Sequence, residues 1–308
     1  MSTCCGVEFM EKKRILIVTT TEETLATILV GQDKYLSSYF EVGLACCPQK
    51  ELAERKKSRD AIFYAVPMKR GISPVYDIYS IVNMIFVILR FKPDIVHSYT
   101  PKAGLIAMTA SWICRTRFRI HTFTGLIFPT SVGVKRALLL FIDKLIAYFS
   151  THIVPESEGV RRDLIENGIL SPFLKVIGSG NIAGVDTSYF KIGERSFPRR
   201  SGNDVSPFTF VYVGRINRDK GINELVGAFT RLSGEARLVL VGALDNTAPP
   251  DPSVLKRIES HPLIFTTGFQ SDIRPYLNDS HVLVLPSYRE GFPNVVLQAM
   301  SMRLPVIS

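Results

Sequence analysis

Short runs of β-branched and aliphatic residues alternate with longer amphipathic stretches along this chain, and that alternation restricts its fold more than any other feature. Strands separated by crossover helices build a parallel sheet covered on both faces. The first series predicts strands at 14–19, 40–46, 62–67, 94–97, 119–123, 152–155 and 174–177, with helices at 22–39, 76–91, 133–149 and 157–167. A polar, charged, proline-bearing stretch at 191–207 interrupts the pattern as a linker does. Strand and helix then alternate afresh over 208–213, 221–232, 236–241, 254–260, 264–266, 273–278, 282–285, 294–300 and 305 to the end. Two doubly wound α/β domains are expected, 1–190 and 208–308, joined by the linker 191–207, with a ligand crevice outside the carboxyl ends of their strands. A last strand without a covering helix reads as an incomplete second domain, truncated before its final elements.

At 308 residues there is enough chain for two cores of ordinary size. Cys4, Cys5, Cys46, Cys47 and Cys114 form no metal or redox spacing, which suits free thiols in a reducing cytosol. The apolar run 15–18 is too short for a secretory core, so no signal peptide is expected, and residues 1–13 read as a loose leader. The longest apolar stretch, 78–89, is broken by Tyr79, Ser80 and Asn83, where a membrane span needs about 20 residues, so no transmembrane helix is expected. The net charge of +9 is uneven: 1–205 hold 27 Lys/Arg against 19 Asp/Glu, and 206–308 hold 10 against 9. A basic first domain suits an anionic lipid or phosphorylated substrate, or an unremarkable solvated surface. Nucleic acid is disfavoured, since no helix-turn-helix, zinc-finger or aromatic RNA-binding signature accompanies the charge.

Two clusters carry chemistry. Val213-Gly214-Arg215, followed by Lys220-Gly221, falls where a strand ends and a helix begins. Glycine lets a ligand approach the backbone there, helix amides point outward, and two cations can neutralise a diphosphate. The spacing is neither a P-loop nor a dinucleotide fingerprint, and taken alone it equally suits a solvated loop. The second cluster, Glu290-Gly291-Phe292-Pro293-Asn294 with Gln298 one turn on, again ends a strand and opens a helix. Glu290 can accept hydrogen bonds from sugar hydroxyls or simply favour the helix dipole.

Together with His97-Ser98-Tyr99-Thr100-Pro101-Lys102, His121-Thr122-Phe123-Thr124-Gly125 and the segment 178–186, these clusters occur in an order and spacing that resembles glycosyltransferase family 4. That family comprises retaining GT-B enzymes, and the similarity is to its capsular polysaccharide and O-antigen branch. The resemblance implies the GT-B fold, two Rossmann-like domains facing a central crevice. It implies that Arg215 and Lys220 hold the donor diphosphate and stabilise the leaving nucleotide without a metal, and no D-x-D motif is present. Glu290 would orient the donor sugar, and Gly214, Gly291, Phe292, Pro293 and Asn294 would line it with backbone. Phe269 would sit near the nucleobase and Gln298 would reach the ribose. His121, at a strand end expected to face the crevice, would lie beside the reacting carbon, and His97 and Lys102 would bind acceptor. The helix 133–149, with Lys135, Arg136 and Lys144 among apolar residues, suits core packing or a membrane surface.

Two departures from the family stand out. Gln298 occupies the position of a family glutamate, and Thr19-Thr20-Thr21 replaces a glycine-rich first loop. The implied function is transfer of a hexose-type sugar, with retention, from a UDP-linked donor to a lipid-linked glycan at the cytoplasmic face of the membrane, with no cofactor and no metal. Two alternatives stay open: a nucleotide-sugar 2-epimerase on the same fold, and an inactive truncated transferase acting only as a binding protein.

Overall fold

The alternation resolves into two parallel sheets. The computed structural model describes residues 12–48, 61–69, 71, 73–169, 171, 174–193, 207–232, 236–246 and 248–308. Most of the expected leader and most of the expected linker lie outside the described residues. The chain divides into two compact units, Met1–Ala183 and Gly184–Ser308.

The first unit contains β1 (Arg14–Thr21), α1 (Glu22–Thr27), α2 (Gln32–Ser37), β2 (Glu41–Cys47), β3 (Ala61–Ala65), α3 (Pro74–Phe91), β4 (Ile95–Ser98), α4 (Pro101–Ile113), β5 (Phe118–Phe123), α5 (Gly133–Phe149), β6 (His152–Pro155) and α6 (Glu158–Glu166). Its sheet is ordered β3-β2-β1-β4-β5-β6, with every pairing parallel. Alternation along β1 feeds a core on each face. Leu16 and Val18 join α3, α4, α5 and α6, whereas Ile15 and Ile17 join Leu25, Leu29 and Leu36 of the α1–α2 side.

Three expectations are corrected here. The helix 22–39 is two helices, broken at Gly31, whose φ of 75° is left-handed. Segment 174–177 forms only an isolated bridge between Leu174 and Ile153. Helix α4, not foreseen, is apolar on all sides and shows no period to read. Helix α3 also exceeds the apolar stretch seen in the sequence. Its 18 residues have a mean hydropathy of 1.4, enough by length and composition to cross a membrane. Its inner stripe of Ser80, Met84, Ile88 and Phe91 is nonetheless buried in the first unit.

The second unit contains β7 (Phe208–Val213), α7 (Ile222–Phe229), β8 (Ala236–Val241), α8 (Pro252–Ser260), β9 (Ile264–Gly268), α9 (Arg274–Asn278), β10 (Val282–Val284), α10 (Asn294–Ser301) and β11 (Val306–Ile307). Its strands are ordered β11-β10-β7-β8-β9, again parallel. One core, including Tyr212, Leu225 and Leu240, meets α7 and α8, and another, including Val211, Leu283 and Ala299, meets α9 and α10. In each unit the strand order reverses beside the first strand, at the β1–β4 and β7–β10 junctions. Such reversals leave a crevice between diverging loops at the carboxyl ends of the strands.

Candidate functional site

In the second unit, the reversal brings together two loops 70 residues apart in sequence. The loop leaving β7 turns on Gly214, whose carbonyl closely faces the next loop: a Cβ on Gly242 would lie 1.9 Å from it. Arg215 is more than half exposed and pairs with Asp245 at 2.5 Å. Asn217 donates to the same carboxylate oxygen at 3.2 Å, and its own Oδ1 accepts from the Lys220 amide at 3.0 Å, capping the short turn Arg218–Lys220. Gly221 follows with φ at 69°, and a Cβ there would stand 2.0 Å from the Pro286 carbonyl oxygen. Only glycine permits this close approach of the two loops.

The loop after β10 is tied across this junction three times. Lys220 Nζ forms an ion pair with Glu290 Oε1. Arg289 Nη2 donates to Asp219 Oδ2 at 2.8 Å, and the Tyr288 amide donates to the Asp219 carbonyl at 3.1 Å. Ser287 Oγ is buried in the same loop and finds no hydrogen-bond partner among the described residues. Helix α10 then starts at Asn294 behind Pro293, whose own side chain does not cap it. Gly291, Phe292 and Gln298 are partly exposed. Phe269 is 66% exposed at the end of β9, two strands from β7.

The structure thus joins Arg215, Lys220 and Glu290 of the predicted set into one charged cluster. It also shows the residues that hold them: Asp245, Asp219 and Asn217. Asn217 was readable as a cap before a short turn. Asp219 and Asp245 carried no such sign, because their partners lie on loops that follow other strands.

The first unit presents a different chemistry at its reversal. The Thr20 amide donates to Thr100 Oγ1 at 3.1 Å, linking the ends of β1 and β4 through hydroxyl groups. His97 stacks on Tyr99 with ring centroids 4.2 Å apart. The Tyr99 hydroxyl donates to Gln32 Oε1 at 3.1 Å, so His97 Nδ1 donates to Tyr99 and Nε2 accepts from Thr122 Oγ1 at 2.8 Å. Removal from water pushes the imidazole pKa down to about 4. These groups line a pocket of about 170 Å³, together with Glu156, Asn181 and Ile182. His97 therefore offers a neutral, orientated hydrogen-bonding surface rather than a cation for phosphate.

His121 and Lys102 do not stand where the sequence placed them. His121 is fully buried on the opposite face of the sheet, beneath α4, where a Cβ on Gly104 would come within 2.5 Å of its ring. Its Nδ1 meets Ser98 Oγ at 2.8 Å, its edge meets Phe123, and Nε2 has no partner among the described residues. Burial first, and His97 second, pushes its pKa down to about 3. The expectation that it opens onto a crevice is corrected: alternation along β5 turns it into the helix layer. Lys102 places its ammonium 2.7 Å from both oxygens of buried Asp77, only 11% exposed, as a structural ion pair between α4 and α3.

Two doubly wound units, the second carrying a basic and acidic loop pair at its strand reversal, define the GT-B class of sugar transferases. Comparison with known proteins narrows this. Residues 207–308 match the family model described as glycosyl transferases group 1, and residues 37–180 match the glycosyl transferase 4-like domain. The capsular polysaccharide biosynthesis glycosyltransferase CapM of Staphylococcus aureus is 30% identical over 305 residues, spanning 97% of this chain and 79% of CapM. An Escherichia coli UDP-Gal:alpha-D-GlcNAc-diphosphoundecaprenol alpha-1,3-galactosyltransferase is 25% identical, over 87% of this chain and 71% of that protein. The crystal structure of Anabaena HepE in complex with UDP and glucose superposes with a TM-score of 0.75 at 16% identity, over 96% of this chain and 80% of that one. The chain belongs to glycosyltransferase family 4 and is a GT-B glycosyltransferase of polysaccharide biosynthesis.

Proposed function

We propose that this enzyme moves a hexose-type sugar from a UDP-linked donor to a lipid-diphosphate-linked glycan, with retention at the anomeric carbon. The observation that carries the reading is the Lys220–Glu290 ion pair at the strand reversal of the second unit. Its members are complementary to the two halves of a nucleotide sugar. Diphosphate oxygens replace the carboxylate on Lys220 and draw Arg215 from Asp245. Glu290 is thereby released to accept hydrogen bonds from sugar hydroxyls. As the sugar–phosphate bond breaks, charge grows on the departing diphosphate, and both cations are already in place to stabilise it without a metal.

The remaining second-unit residues fit the same ligand. Gly214 allows close backbone approach, and the amides from Gly291 through Phe292 and Asn294 face oxygens at the start of α10, where the helix dipole favours negative charge. Pro293 fixes the entry into that helix. Phe269 offers an exposed aromatic face to the base, and Gln298 a neutral acceptor to a ribose hydroxyl. In the first unit, the neutral His97 pocket receives acceptor hydroxyls. Enclosure of His121 assigns it a positioning role, holding the end of β4 through Ser98, and Lys102 braces α3 in the same sense.

The lipid-linked acceptor is supported by the E. coli relative, whose name specifies a diphosphoundecaprenol acceptor and a UDP-sugar donor. Such an acceptor places the reaction at the cytoplasmic face of a membrane, with the enzyme in peripheral contact. The test supplies UDP-glucose, UDP-galactose or UDP-N-acetylglucosamine and a detergent-dissolved polyprenyl-diphosphate sugar, in the presence of EDTA. Lipid product is followed by mass spectrometry and its anomeric configuration by NMR. An α-linked product from an α-linked donor is expected. Inversion at C2 of the donor alone, with no lipid product, would identify a 2-epimerase instead.

A further inference from the structure

We infer that the outer surface of the α3–α4–α5 layer lies flat against an anionic lipid bilayer; the inference rests on the lipid-linked acceptor reading and names the surface that would bring the enzyme to it. Helix α3 has two apolar stripes. One is buried, and the other, Val75, Ile78, Tyr79, Val82, Phe86 and Leu89, is between 43% and 83% exposed. At about 1.5 Å per residue this outer stripe runs roughly 21 Å along the surface. Helix α4 packs between α3 and α5. It adds half-exposed Trp112, whose ring lies 5.0 Å from Phe149 of α5, while Phe141 and Tyr148 of α5 are 57% and 74% exposed. A monomeric surface seldom carries apolar area of this extent without a partner, and indole and phenol rings at its edge suit a membrane interface.

Charge identifies the partner. Residues 61–155 hold eleven Lys/Arg and three Asp/Glu, a surplus of eight out of the chain's nine. Asp77 and Asp143, the only acidic residues on these three helices, are both buried. Exposed Arg90, Lys92, Arg115, Arg117 and Lys144 stand around or beside the apolar face with no exposed carboxylate on the helices among them. A second copy docked on the same face would set these cations against each other, whereas anionic headgroups neutralise them. The inner stripe of α3 is fixed in the sheet's core and Asp77 is paired to Lys102, so the helix lies along the bilayer as an interfacial helix does and does not cross it.

The experiment sediments the full chain with sucrose-loaded vesicles, either phosphatidylcholine alone or with one third phosphatidylglycerol. Ile78→Asp with Phe86→Asp removes apolar contact, and Arg115→Glu with Arg117→Glu removes charge. All four side chains are exposed, so UDP titration and the thermal transition report an intact fold. Anionic vesicles are expected to bind the chain about tenfold more strongly than neutral ones, with the advantage lost in high salt. Each double variant is expected to bind about tenfold more weakly, and Trp112 fluorescence to shift blue on binding. Wild-type chain that stays in the supernatant with both vesicles, or variants that bind as wild type does, would overturn the inference. So would a wild-type dimer that the apolar variant dissolves, since that would make the face a self-interface. The vesicles contain no glycan acceptor, so loss of vesicle binding with transfer to dissolved acceptor intact refutes this surface alone. Vesicle binding without any transfer refutes the acceptor reading alone.

Discussion

The two units share a strand order through their first five strands, yet their corresponding loops are built from opposite materials. At the β7–β10 reversal, Lys220, Glu290, Arg289 and Asp219 interlock as paired charges. At the β1–β4 reversal, Thr20, Thr100, Tyr99 and a neutral His97 interlock through hydroxyls and an imidazole. The topology creates the crevice in both cases, and the residues at the strand ends decide what enters it. On the proposed function, paired charges exchange for a diphosphate, and a hydroxyl network exchanges for sugar hydroxyls. Charge in the first unit is instead used where it is buried, at Lys102 and Asp77, or displayed on the helix layer.

That contrast can be broken first at the buried pair. Asp77→Ala leaves Lys102 enclosed without a partner, and the first unit is expected to lose about 3–5 kcal/mol. Trp112 is the chain's only tryptophan and lies in the first unit, so its fluorescence in a urea titration reads this unit. A loss under about 1 kcal/mol would mean the pair is not holding α3 to α4.

The second effect is a pH dependence confined to the first unit. Burial pushes the Asp143 pKa up to about 7. An unfolded aspartate deprotonates near 4 while the folded one keeps its proton, so this residue lowers stability progressively as pH rises from about 4 to 7. His97 and His121 act in the opposite sense. They are neutral when folded, and the stability they contribute above pH of about 6.5 is lost as pH falls through 4 and 3. Asp143→Asn should therefore match wild type near pH 4 and gain about 2–4 kcal/mol by pH 8, seen in Trp112 unfolding. A constant difference across that range would contradict the assignment.

The loop junction of the second unit supplies the next test. Gly221→Ala meets the Pro286 carbonyl in a left-handed backbone and should cost about 2–3 kcal/mol. Nucleotide binding should weaken while the Trp112 transition keeps its midpoint. Gln298→Glu gives the smallest expected change, about 1 kcal/mol tighter UDP binding from a charge-assisted bond to ribose. Equal affinity would show that this side chain does not reach the sugar.

Much of this was legible in the sequence. Strand and helix periods exposed the two doubly wound series, and the glycine and charge motifs singled out the two loops that meet at the β7–β10 reversal. Helix α4 was missed because its outer face, with Leu105 and half-exposed Trp112, is as apolar as its buried one, which erases the amphipathic period, and the break at Gly31 was hidden within a continuing helical pattern. His121 was misplaced because a strand's alternation fixes which residues share a face but not which face is the open one. Lys102 read as a ligand group because Asp77, its partner, comes from another helix. The orientation of Asp245 and Asp219 onto Arg215 and Arg289 likewise depends on tertiary neighbours that no local pattern announces.

The central claim, that the charged junction of the second unit is the donor site, is tested most directly by calorimetric titration of the chain with UDP in EDTA, beside Arg215→Ala and Lys220→Ala. Micromolar binding in the wild type, weakened tenfold or more in each variant while Trp112 unfolding is unchanged, is the predicted result. Binding that survives both substitutions, or a wild type that binds no UDP, would contradict it.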